Sequence, residues 1–105
     1  MRTLLKMTIP VEAGNKAIKD GTVAKTMAAL QEQLKPEAAY FFTEHGKRTA
    51  FWFFDMKDPS QIPVIAEPLF INLNADVQFF PVMNADELQA GLQQWAKSQE
   101  LVGAR

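Results

Sequence analysis

The chain has no cysteine and a single histidine, His45. The first absence excludes disulfides, thiolate metal sites and a cysteine nucleophile together, and the second excludes a histidine metal cage within one chain. No metal site and no bound cofactor is expected. An excess of charge of either sign is also missing. Eleven Lys and Arg stand against 12 Asp and Glu, a formal charge of -1, with no basic stripe to neutralise a run of phosphates. Nucleic acid is not an expected partner. No run approaches the ~18 apolar residues of a membrane span, and Met1-Arg2-Thr3-Leu4-Leu5-Lys6 carries charge where a secretory leader needs an apolar core. The expectation is a soluble cytoplasmic protein without a membrane partner.

What is present is a large apolar fraction, 48% of 105 residues, ample for one continuous core. A single domain over 1–97 is expected, with 98–105, where periodicity fades, as a loose C-terminal tail. Thr3, Leu5, Met7 and Ile9 alternate with Leu4, Lys6 and Thr8 until Pro10, which predicts a first strand. Val23, Met27, Leu30 and Leu34 then keep helical spacing. Gly21 interrupts this region, so either one long helix or a short helix, a turn and a second helix capped by Thr22 fits.

After Pro36, Ala38 to Thr43 reads as a second strand, Glu44-His45-Gly46-Lys47 as a tight turn, and the residues that follow as a third strand. Phe51-Trp52-Phe53-Phe54 is apolar on both faces, the pattern of a central strand covered on both sides. Ile62, Ile65, Ala66, Leu69, Phe70 and Leu73 predict a helix in which Pro68 should produce a kink. Ala75 to Val82 alternates as a fourth strand, and Pro81 suits an edge. Asn84 with Glu87 reads as a capping box, Met83 with Leu88 as a hydrophobic staple, and Leu88, Leu92 and Trp95 as one face of a closing helix.

The order β, α, β, β, α, β with one hairpin is the split β-α-β pattern, an α+β ferredoxin-like fold with antiparallel sheet order 4-1-3-2 plus a C-terminal helix. Crossovers of one hand put both helices on one face of the sheet. The other face is left open, yet Trp52 and Phe54, or Phe51 and Phe53, must point to it with residues such as Leu4 and Phe80. An apolar patch of that size marks an interface or a ligand site.

The topology, the aromatic third strand, and Phe79-Phe80-Pro81-Val82-Met83 followed by an acidic-capped helix resemble the dimeric α+β barrel superfamily over about residues 3 to 95. The resemblance is to one of its uncharacterised families. It implies a homodimer whose sheets pack face to face into a barrel. Characterised members include cofactor-free monooxygenases of aromatic substrates, muconolactone isomerase-like enzymes and haem-handling proteins, and none of their active-site motifs transfers to residues here.

Five residues are expected to line a ligand cavity: Lys6, Tyr40, Trp52, Phe54 and Gln78. Lys6 would be a cation desolvated among aromatics, and Gln78 its neighbour across the strand pair. Tyr40 would offer a phenol to a carbonyl or quinone, and Trp52 and Phe54 would stack a flat ligand. Each also has a simpler reading, a lysine stem that snorkels to the rim and aromatics that only fill the core. His45, on a turn beside Gly46, reads as a turn residue ahead of a haem ligand. Glu12 and Asn15 suit the cavity mouth or the first turn of a helix, and Asp55 an ion pair with Arg2 at a strand end. The dispersed Met residues suit gap-filling.

The function expected is therefore a homodimer that binds a small hydrophobic or aromatic molecule beside its sheet, with or without monooxygenase- or isomerase-like chemistry. The alternative is a non-enzymatic dimerisation or protein-interaction module that fills its own aromatic face and has no cavity.

Overall fold

The computed structural model describes the backbone of residues 1–103 and the side chains of residues 1–100. The elements run β1 (Arg2–Ile9), α1 (Val11–Lys19), α2 (Thr22–Leu34), β2 (Ala38–Glu44), β3 (Lys47–Asp55), α3 (Gln61–Leu73), β4 (Asp76–Pro81) and α4 (Ala85–Gly103). In β1 every second residue is buried and those between are half-buried, the pleat turned directly into two layers. The four strands form one antiparallel sheet of order β2-β3-β1-β4, which is 4-1-3-2 read from its other edge. The fold is a small α+β domain compatible with the ferredoxin-like pattern. Pro81 ends β4 on an edge, where its missing N–H leaves no ladder bond broken.

The first crossover is two helices. Gly21 takes φ 83°, in the left-handed region that breaks a helix and that glycine enters without strain. Thr22 is not the cap. The Asp20 carboxylate instead accepts the Thr22 backbone N–H at 2.9 Å, satisfying one of the first donors of α2. Pro68 lies within α3, which continues to Leu73. Both Pro68 and Val64, whose carbonyl loses its donor, are exposed residues on the solvent side of the helix.

The core lies between the sheet and α1, α2 and α3. Leu5, Met7, Trp52 and Phe54 come from the sheet, and Leu30, Leu34, Ile65, Leu69 and Leu73 from the helices. These strand residues share one face, because Leu5 pairs with Trp52 and Thr3 with Phe54 in the antiparallel register. Register thus settles which half of the aromatic strand is core.

α4 departs from expectation twice. It runs to Gly103, across the stretch from 98 where a tail was expected, because Lys97, Gln99 and Glu100 are good helix formers even without an apolar stripe. Residues 104 and 105 lie outside the described residues. Nor does it close over the domain, since every residue from Ala85 to Glu100 is exposed. It is held at its base. Asn84 and Glu87 form the capping box, each backbone N–H bonded to the other's side-chain oxygen at 2.8 Å, and Arg2 bonds Glu87 at 2.6 Å. At about 1.5 Å per residue the helix adds roughly 28 Å, and the molecule extends 65 × 28 × 20 Å. Among the described residues no helix is long and apolar enough to cross a membrane.

Candidate functional site

Residues directly opposite in an antiparallel pair share a face. Across the four strands Tyr40, Phe51, Lys6 and Gln78 form one row, and Ala38, Phe53, Leu4 and Phe80 the next. Both rows lie on the face away from α1, α2 and α3. Three of the five sequence-predicted residues, Lys6, Tyr40 and Gln78, are therefore brought together on the open face. Trp52 and Phe54 are not. They lie on the helix face, 1% and 2% exposed, and Phe51 and Phe53 take the open side. A strand apolar in both registers leaves two assignments, and pairing with Leu5 decides between them.

Lys6 is not an unpaired cation. Its ammonium donates to Glu44 Oε1 at 2.7 Å and stands 5.9 Å from the centre of the Phe51 ring. That hydrogen bond holds the Glu44 carboxyl below its usual range, against the opposing effect of partial burial. The pair spends its charge internally. Tyr40 and Gln78 are exposed at the ends of the row, and Phe42 packs edge-on against Phe51 with ring centres 4.8 Å apart. The open face thus presents Leu4, Phe42, Phe51, Phe53 and Phe80 around one neutralised ion pair.

A second feature is lined by none of the five expected residues. On the helix side, where α2 spans the β2–β3 end of the sheet, lies a cavity of about 360 Å³ lined by Met7, Ile9, Val23, Met27, Phe41 and Ala50, with Thr43, Thr49 and Phe42 at its edge and Arg48 as its only charge. Phe41 is 63% exposed and packs edge-on to Trp52 at 6.0 Å, so it forms an outer wall. Arg48 follows the β2–β3 turn in register with Ala50, Trp52 and Phe54, and thus projects to the helix face. Its guanidinium donates to Asn15 Oδ1 at 3.0 Å and lies against Gly14 of α1. A Cβ on Gly14 would stand 2.6 Å from Arg48 Nη1. Glycine is what lets the cation lie there. One signal pointed to this residue: a charge in the inward register of an otherwise apolar strand.

The remaining candidates fall at the rims. Arg2 and Asp55 are paired in register, but Arg2 bonds Glu37 and Glu87, while Asp55 bonds Lys57 and the Met1 ammonium. The Lys57 bond, then the ammonium, lowers the Asp55 carboxyl to about 2. The register was legible, but the partners were not, because Glu37 and Glu87 reach Arg2 from loop and helix. His45 and Gly46 have φ of 53° and 75°, as a two-residue hairpin turn of type I′ requires, and His45 is exposed. Glu12 lies in the first turn of α1, and Asn15 reaches the cavity through Arg48. Among the described residues no group of three His, Cys, Asp or Glu gathers that could hold a metal ion. A scan against protein-family models and a search of the curated proteins find nothing that matches this chain.

Proposed function

We propose that the chain is a homodimer of the dimeric α+β barrel kind and that each protomer binds a small hydrophobic or aromatic molecule in the cavity between its sheet and α2. The observation that carries the reading is the cavity, about 360 Å³ and walled by Met7, Met27, Phe41 and Ala50. That volume falls within the range of about 300–1,000 Å³ in which small-molecule sites occur. Two methionines in the wall suit ligands of variable outline, because an unbranched thioether repacks at small cost. The reading is of binding, with monooxygenase- or isomerase-like chemistry as an activity such a site could host.

The open face supports the dimer. Leu4, Phe42, Phe51, Phe53 and Phe80 surround a Lys6–Glu44 pair that needs no counter-charge, so the patch suits a two-fold copy of itself. Four strands at about 4.8 Å spacing and about 20 Å of length give a footprint of roughly 400 Å². A standard interface buries about 800 Å² per partner, so the sheet alone falls short. The exposed stripe of Leu88, Leu92 and Trp95 on projecting α4 offers the remainder.

Light scattering at micromolar concentration tests the dimer, and a monodisperse monomer would remove it. Thermal shift with aromatic acids, amides and quinones tests the cavity, since a ligand that binds only the folded state raises its Tm. A dimer with no shift from any class would favour the non-enzymatic module, a reading the exposed Tyr40-Phe41-Phe42 edge also suits.

A further inference from the structure

We infer that the cavity between α2 and the sheet takes an organic anion, a compact apolar or aromatic carboxylate whose charged end is held by the Arg48 guanidinium. The inference rests on the reading of that cavity as a ligand site and adds the chemical class of its occupant.

Among the described residues three cations are half-buried: Arg2, Lys6 and Arg48. Arg2 is paired with Glu37 and Glu87, and Lys6 with Glu44. Among the described residues Arg48 has no carboxylate within ion-pair distance, and its side-chain hydrogen bond goes to the neutral amide oxygen of Asn15. The guanidinium is part-covered and its bond to Asn15 is exposed, so it is the one charge that the apolar lining of Met7, Ile9, Met27 and Ala50 sets within reach of an occupant.

The arrangement is also preset. Gly14 is buried and clears the space in which Nη1 lies, and Asn15 engages Nη2. A guanidinium that spends one N–H on Asn15 has others left to donate, and its planar fork can match a carboxylate with two parallel bonds. A neutral ligand of the same shape would fill the apolar part and leave the charge unanswered. The pocket therefore discriminates by charge at one end and by shape at the other.

The test compares 2-naphthoate with 2-naphthamide, which share size and outline and differ in charge, by calorimetry on the wild-type chain, Arg48→Gln and Gly14→Ala. The methyl resonances of Met7 and Met27 locate the bound probe. The wild type is expected to bind naphthoate about tenfold or more tighter than naphthamide, the scale of a charge-assisted bond. Arg48→Gln should bring naphthoate down to the naphthamide level and leave naphthamide within about twofold. Gly14→Ala should weaken naphthoate more than naphthamide while retaining the charge, because its methyl forces the guanidinium to shift. As alanine is the better helix former, that variant keeps the test open should Arg48→Gln fail to fold.

Equal affinities in the wild type, or a preference that survives both substitutions, would overturn the carboxylate assignment and leave the cavity reading intact. Failure of both probes to move the Met7 and Met27 methyl resonances would overturn the cavity reading and this one with it.

Discussion

Alanine substitutions at two adjacent residues, Trp52 and Phe53, should separate the two faces of the sheet. Trp52 is 1% exposed and packs among Leu5, Phe79 and the helices. A buried aromatic removes about 150–250 Å² from water, which at about 25 cal/mol/Å² is worth roughly 4–6 kcal/mol, close to the 3–5 kcal/mol lost when such residues become alanine. One feature of the site lowers the figure. The indole N–H is buried and has no acceptor among the described residues, so its removal lifts a penalty of about 1 kcal/mol or more. The net expectation for Trp52→Ala is a loss of about 3 kcal/mol, and Trp52→Phe, which keeps an aromatic ring and deletes the orphan donor, should cost far less. Phe53 is only half-buried in the protomer, and its alanine variant should cost about 1 kcal/mol in dilute solution.

Urea unfolding followed by far-UV circular dichroism, over a hundredfold range of protein concentration, reads both effects. If the open face is covered by a second copy, the wild-type midpoint rises with concentration, Phe53→Ala flattens that rise, and Trp52→Ala lowers the midpoint without changing the slope. A Phe53→Ala loss equal to that of Trp52→Ala at the dilute end would refute the assignment of faces. A wild-type midpoint independent of concentration would refute the dimer.

Three further expectations can be checked by simple measurements. In the β2–β3 turn His45 and Gly46 both have positive φ, so Gly46→Ala should cost about 1 kcal/mol, and His45→Asn should raise Tm slightly because Asn enters the left-handed region more readily. Because Lys6 holds the folded-state pKa of Glu44 below its unfolded value, the ion pair adds stability above the ordinary glutamate range and loses it as pH falls through the lowered value. The Tm gap between the wild type and Glu44→Gln should thus be present at neutral pH and close as pH falls well below the ordinary glutamate range; a gap that persists once the carboxyl is protonated would exclude the ion pair as its source. Asn84→Ala removes one half of the capping box and should cost α4 about 1 kcal/mol. As the described residues of α4 are exposed and Arg2 ties it to the sheet only at its base, helical signal at the dilute end should fall with little shift of the global midpoint, and a large shift would mean that α4 is docked.

The sequence by itself determined the elements and their order. Alternation in Thr3 to Ile9, helical spacing in Val23 to Leu34, the Gly46 turn and the capping box at Asn84 are local signals, set by side-chain period and by which residues accept positive φ or orphan donors. One handedness rule then sufficed for the sheet order. What only the tertiary structure decided are the facts that depend on registers and on neighbours remote in the chain. Phe51-Trp52-Phe53-Phe54 carries no internal mark of which pair faces the helices, and pairing of Leu5 with Trp52 supplies it. The stripe of Leu88, Leu92 and Trp95 reads like that of a core-facing helix, yet burial requires a surface within reach, and past its cap α4 projects away from the sheet. The cavity beside Arg48 could not be read at all, because its walls come from β1, α2, β2 and β3, and empty space is a property of how elements pack.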